Sequence, residues 1–340
     1  MDLKSAVEQE IMSYKCSNDQ RIATVGTTAR KTNSFAVLPR REAWGFEAIN
    51  FLVVDQQSAE TLFQLIDKKV KYILVDIEMK KDLDLLSIAS KTVQHAVVVT
   101  YKPNDTTLEA ADFFLRHYFN DDLEGKKIIV YGAGNLGSKL SLRLAERGAE
   151  IHLGSRNEQK AMEIIKALNH LLPAYTKSKI SLFKAADVNK GICDGLVSFT
   201  SASAVIPPSY SKSIKADGLA LDGGIDNFTK NFIKKASKKN IHLYRLDVRS
   251  AFPHAILYLE DYIKNFYSSI QGENLLDGIR MVAGGIIGRE GDIVVDRIER
   301  PTQIVGIANG VGGLKDRAVF SSQESDDIRK VYQRINQNSS

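Results

Sequence analysis

The chain has 340 residues, with 46 Lys and Arg against 41 Asp and Glu, a net charge of +5. Its 44% hydrophobic and 26% charged residues exclude a disordered chain and suit about two globular domains. No run approaches the roughly 18 apolar residues of a membrane span, and the first residues lack the apolar stretch of a signal peptide. Two cysteines far apart, Cys16 and Cys193, exclude a disulfide framework and a CxxC zinc site. These features predict a cytoplasmic protein with no metal and no membrane partner, and so mild a charge predicts no nucleic-acid partner.

The first third alternates between helical and strand patterns. Helices are expected over residues 2–14, 59–68 and 106–118. Strands are expected over 22–25, 48–54, 71–79 and 96–100. Strands separated by helices predict a parallel α/β sheet. The polar break at 120–125 reads as a domain boundary. After it, a buried strand at 127–131 runs into Gly132-Ala133-Gly134-Asn135-Leu136-Gly137. A helix follows with Leu136, Leu140 and Leu144 on one face, and Gly148 stands where a C-terminal cap belongs. Further strands are expected at 150–154, 195–199, 218–222 and 241–246. Pro253 opens a helix at 250–254. The last stretch, from 273, reads as Gly-punctuated strands at 280–288, 292–298 and 302–308. A hairpin is expected there, with its turn at 289–291. A short amphipathic stretch over 327–335 precedes a polar tail.

Gly132-x-Gly134-x-x-Gly137 is the strongest chemical signal. Gly132 permits the turn out of the strand, Gly134 lets backbone approach a pyrophosphate, and Gly137 lets the helix pack against the strand. The helix N-terminus then faces the anion. The preceding strand, the following helix and the second strand are all in place, so the motif predicts dinucleotide binding. The second strand ends in Gly154-Ser155-Arg156-Asn157, with no carboxylate for a ribose 2′-hydroxyl. Arg156 can pair with a 2′-phosphate and Ser155 adds a hydroxyl, which predicts NADP (NADPH) rather than NAD.

The stretch 127–161 resembles the NADP domain of the shikimate and quinate dehydrogenase family, whose second strand also ends in an Arg-bearing turn before Lys-Ala. Residues 194–201 and 222–236 are similar to later segments of that domain, which implies cofactor contacts at Thr200, Ser201 and Gly223. The resemblance extends more faintly to the first third. There Gly26 is followed by Thr32 and Ser34 at the family's hydroxyl offsets, implying that both hold a substrate carboxylate. Two hydroxyls at i and i+2 of an extended loop point the same way. The continuation to residue 51 has the family's helix-then-strand form. The family's Lys and Asp pair falls on Lys81, or its neighbour Lys80, and on Asp105. The Lys would move a proton while hydride passes to or from the nicotinamide, and the Asp would orient it. His254 stands nearest the family's substrate-side Gln.

The chain departs from the pattern. Asp76 and Glu78 replace neutral residues, the family's Pro is missing, Thr106 follows Asp105 in place of Gly, and Ile225 stands for a Tyr. The expectation is therefore two α/β domains, the second a Rossmann-type doubly wound sheet. A substrate domain would cover 1–120 and an NADP domain 121–249. A helix at 250–270 would return to the first domain, and a C-terminal extension at 271–340 would form a homodimer surface or cover the cleft. The implied activity is an NADP-dependent dehydrogenase of a small carboxylate-bearing hydroxy/oxo or amino/imino substrate. Two rivals stay open, a methylene-tetrahydrofolate or methanopterin type of dehydrogenase and a non-catalytic dinucleotide-binding regulator.

Overall fold

A computed structural model describes residues 2–28, 34–184 and 191–337. It divides into two compact units, Met1–Ala255 and Ile256–Ser340. No helix among the described residues is long and apolar enough to cross a membrane.

The first unit begins with α1 (Leu3–Ile11), β1 (Arg21–Gly26), β2 (Ala36–Ala43), β3 (Phe46–Leu52), α2 (Gln56–Ile66), β4 (Tyr72–Asp76), α3 (Leu85–Thr92) and β5 (Val97–Tyr101). Its sheet runs β2-β3-β1-β4-β5, parallel except for β2. Alternation along the strands puts Val25, Ile49, Phe51, Ile73 and Val75 in one core with Val7, Leu62, Phe63, Leu85 and Ile88 of the three helices. A capping box between Asp55 and Ser58 starts α2. β2 replaces the helix expected before residue 45. Trp44 and Gly45, at φ of 50° and 80°, form a two-residue turn that pairs Ala43 with Phe46 in a hairpin. Pro39 fits there because β2 is an edge strand.

The chain then passes through α4 (Pro103–Tyr118), β6 (Lys127–Tyr131), α5 (Asn135–Glu146), β7 (Glu150–Gly154), α6 (Glu158–Leu171), β8 (Ile180–Leu182), β9 (Cys193–Ser198), β10 (Ile214–Asp222), α7 (Lys230–Lys238) and β11 (His242–Arg245). This sheet runs β11-β10-β9-β6-β7-β8, and every pair is parallel. In order of appearance that is 3-2-1-4-5-6, the doubly wound dinucleotide-binding order. Helix α7 covers one face through Phe232 and Ala236. The other core joins α5 and α6 to Leu108, Ala111 and Leu115 of α4. The change of core therefore comes before α4, whereas the sequence put it at 120–125. The apolar residues at 108, 111 and 115 carry that allegiance at helical spacing.

The second unit starts at the last residue of α8 (Phe252–Ile256) and holds α9 (Asp261–Asn265), β12 (Gly272–Leu276), β13 (Ile279–Ala283), β14 (Ile293–Val295), β15 (Ile304–Ile307) and α10 (Ser322–Gln337). The expected helix over 250–270 is broken into short pieces. The four strands form one sheet in chain order, and Val331 and Ile335 of α10 pack on Met281, Ile293 and Val295. The hairpin lies elsewhere than expected. β13 and β14 run parallel, so residues 289–291 do not close a hairpin between them. Asp277 and Gly278, at φ of 51° and 83°, turn β12 back on β13 instead.

Candidate active site

The glycine loop leaves β6 with Gly132 at φ +122°. A Cβ on Gly132 would lie 2.1 Å from the Phe199 carbonyl oxygen, and one on Gly137 would lie 2.0 Å from that of Gly132. Both glycines are therefore required by packing alone. Gly134 differs, because a Cβ there meets nothing within 4 Å. It is the N-cap of α5, extended, with no side chain capping the helix. The first turn of α5 thus presents backbone N–H groups and the positive end of its dipole to an open space. That space lies at the carboxyl ends of β6 and β9, where the strand order reverses.

The opposite wall is tied together by Asn227, a fully buried residue that sequence reasoning passed over. Its Oδ1 accepts from Ser198 Oγ at 2.9 Å and the Thr200 N–H at 3.2 Å. Its Nδ2 donates to the carbonyls of Thr200 at 3.1 Å and Ala202 at 2.9 Å. Asp222 holds the other end, accepting from the N–H groups of Gly224 and Asn227. Gly223 and Gly224 have no room for a Cβ against the Phe199 ring and the Thr200 carbonyl. Thr200 Oγ1 donates to Ala202 O at 3.0 Å, and Ser201 is exposed. Ile225 and Asp226 are both left-handed, at φ +65° and +58°, which for a β-branched residue is a strained conformation.

At the end of β7, Gly154 is wedged against Tyr131 and Phe183. Ser155 Oγ accepts from the Asn157 N–H at 3.3 Å, and Asn157 caps α6. Arg156 is exposed and no carboxylate occupies 154–157, Glu158 being the first acid after the strand.

The first sheet ends in a compact charged group. Asp76 is buried and accepts from the N–H of Thr27 at 3.3 Å and that of Glu78 at 2.9 Å. Lys80 places Nζ 3.3 Å from Asp76 and 2.5 Å from Glu78. Lys81 is exposed and left-handed at φ +60°, between Met79 and Asp82, which are left-handed too. The structure thus gathers Lys80 onto the strand-end carboxylates. β4 stops at Asp76, so strand alternation does not reach the two lysines.

Asp105 is not Lys81's partner. It sits in the first turn of α4 and pairs with Lys102 at 2.8 Å and Lys139 of α5 at 3.2 Å. Desolvation pushes its carboxyl up, but hydrogen bonds from the two lysines outweigh that and hold it below the usual range. It is the first member of a ladder. Glu109 pairs with Arg143 at 2.6 Å, and Asp112 with Arg147 at 3.0 Å. His254 joins it, with Nε2 3.8 Å from Glu109. Its nearest charged partner is thus this carboxylate between the helices. Thr32 lies outside the described residues, and Ser34 is exposed. Among the described residues no cluster of three or more His, Cys, Asp or Glu could hold a metal.

No protein-family model matches the chain. One curated relative, a glutamyl-tRNA reductase of Thermosipho melanesiensis, is 36% identical over 67 residues, 20% of this chain and 18% of that enzyme's length. Several of the solved structures it resembles are shikimate dehydrogenases. One, crystallised with NADP+, is 15% identical with a TM-score of 0.43, covering 69% of this chain and 89% of that one. Another, from Aquifex aeolicus, is 17% identical with a TM-score of 0.42, covering 71% and 94%. An L-tryptophan dehydrogenase from Nostoc punctiforme is 9% identical with a TM-score of 0.43, covering 72% and 74%. Similarities of this size decide neither fold nor activity, which rest on the strand order and the geometry of the site.

Proposed function

We propose that the chain is an NADP(H)-dependent dehydrogenase acting on a small carboxylate-bearing substrate, at a hydroxy/oxo or amino/imino carbon. The observation that carries the reading is the uncapped N-terminus of α5, with Gly134 facing open space at the switch point of a doubly wound sheet. The N–H groups of Asn135, Leu136 and Gly137 would hold the pyrophosphate, with Ala133 completing the turn. Thr200, Ser201 and Gly223 would line the opposite wall. Ser155 and Arg156 would take the 2′-phosphate. Bound there, the nicotinamide supplies a hydride donor or acceptor. Lys80, held by Asp76 and Glu78, would pass a proton to or from the substrate oxygen or nitrogen. Thr32 and Ser34 would bind the substrate carboxylate.

The test is titration of NADPH and NADH into the wild type and Arg156→Ala. NADPH should bind more tightly than NADH. The variant should lose about 1.5–3 kcal/mol toward NADPH, the scale of a charge-assisted hydrogen bond, and much less toward NADH. Equal losses for the two cofactors would overturn the NADP assignment.

A further inference from the structure

A cavity of about 510 Å³ lies away from the glycine loop. It lies beside the start of β3, and its lining carries the cations Lys15, Arg40, Arg41 and Arg249 with the carboxylates of Glu42, Glu47 and Asp247. That volume suits a small organic ligand. Two of the arginines already have carboxylate partners. Arg40 pairs with Glu10 through Nε at 2.7 Å and Nη2 at 3.0 Å. Arg249 pairs with Asp247.

Arg41 stands apart. It is only 9% exposed, and the one side-chain hydrogen bond it makes among the described residues runs from Nη1 to the Tyr101 hydroxyl at 2.9 Å. A guanidinium carries five N–H donors in a planar fork and stays charged. Arginine is seldom so buried without an anion, because a desolvated charge without a counter-charge is costly. Its alignment opposite Ala48 puts Arg41 on the sheet face away from the α1–α3 core, the same face as the hydrogen-bonded Thr24 and Asn50.

We propose that this cavity binds a small organic carboxylate, seated on the free edge of the Arg41 guanidinium. A carboxylate presents two coplanar oxygens that match two parallel N–H donors. Tyr101 fixes the other edge of the fork, so the guanidinium is held ready for the ligand. The site does not depend on the dinucleotide reading, since none of its residues belongs to the glycine loop.

Calorimetric titration of succinate, L-glutamate and inorganic phosphate into the full-length protein tests this, with NADPH titrated in parallel. One of the two carboxylates should bind saturably at millimolar concentration or below, and more tightly than phosphate. Arg41→Met should weaken it by about ten-fold or more, with NADPH affinity unchanged. Arg41→Lys keeps the charge but loses the fork, and it should weaken binding several-fold, which covers the case where Arg41→Met does not fold. Absence of binding by both carboxylates would overturn the proposal. So would phosphate binding as tightly, or a lysine variant that binds like wild type.

Discussion

The three glycines of the loop should fail in three different ways. Gly134 has an extended backbone, φ −106° and ψ −167°, which suits a β-branched residue, and open space where a Cβ would go. Gly134→Val should therefore fold, with a stability change within about 1 kcal/mol, the range of N-cap replacements. Its side chain would fill the space assigned to the pyrophosphate. Losing two charge-assisted hydrogen bonds of about 1.5–3 kcal/mol each should weaken NADPH about a hundred-fold or more. Gly137→Ala places its Cβ 2.0 Å from the Gly132 carbonyl oxygen, so α5 must move off the sheet. It should cost about 1–3 kcal/mol of stability, the usual scale of overpacking, as well as cofactor affinity. Gly132→Ala adds a left-handed φ to a contact of 2.1 Å and should be the least stable of the three. Thermal denaturation and NADPH fluorescence titration, run on all three, separate the effects. A folded Gly134→Val that binds NADPH like wild type would refute the reasoning and leave the loop as a plain turn.

Lys80→Ala should lower kcat by about 10²–10⁴-fold with NADPH affinity near normal, while Lys81→Ala stays within a few-fold of wild type, as followed by NADPH absorbance over a substrate panel. The reverse pattern would return the role to Lys81. Asp67 is desolvated, which raises its carboxyl, but the N–H groups of Ala96, His95 and Gln94 and the His95 ring outweigh this and lower it from 3.8 to about 2. It thus contributes about 2 kcal/mol that is present above pH 4 and lost as pH falls through 2. Asp67→Asn should cost that much in urea denaturation at pH 7 and progressively less below pH 4, and a difference that does not change with pH would exclude the mechanism.

Legibility in the sequence followed periodicity. The buried strand at 127–131, its glycines and the leucines of α5 could be read directly, because a strand buried on both faces is a continuous apolar run. β2 could not, since its half-exposed residues show no clean apolar alternation and it takes its pairing from the Trp44-Gly45 turn. Asn227 gave no signal, because one Asn in a loop looks like any turn residue until its four partners converge. The choice between Lys80 and Lys81 could not be read from strand alternation, for a geometric reason. The alternation rule needs an extended chain, and this chain leaves the strand at Asp76 and coils through Met79, Lys81 and Asp82. The ladder between α4 and α5 did leave a trace. Acids at 105, 109 and 112 and bases at 139, 143 and 147 share one helical face each, but each set alone reads as a solvated surface.

That ladder gives a physical reason for the two halves of the candidate site to hold a fixed geometry. The Asn104 N–H donates to Glu78 at 3.0 Å, so the start of α4 is bonded to the carboxylate that grips Lys80. The next residue, Asp105, is bonded to Lys139 in the helix that presents the glycine loop. Two adjacent residues thus link the proposed proton donor to the proposed cofactor cradle. The half-exposed Asp105–Lys139 pair is worth only about 0.2–1 kcal/mol. The Asp112–Arg147 pair is the firmer anchor, because Asp112 is buried and bonded at both oxygens, and losing Arg147 would strand a desolvated carboxylate. Position along α4 then divides the labour. The buried end anchors the helix pair, and the first turn carries the link to Glu78 and Lys80.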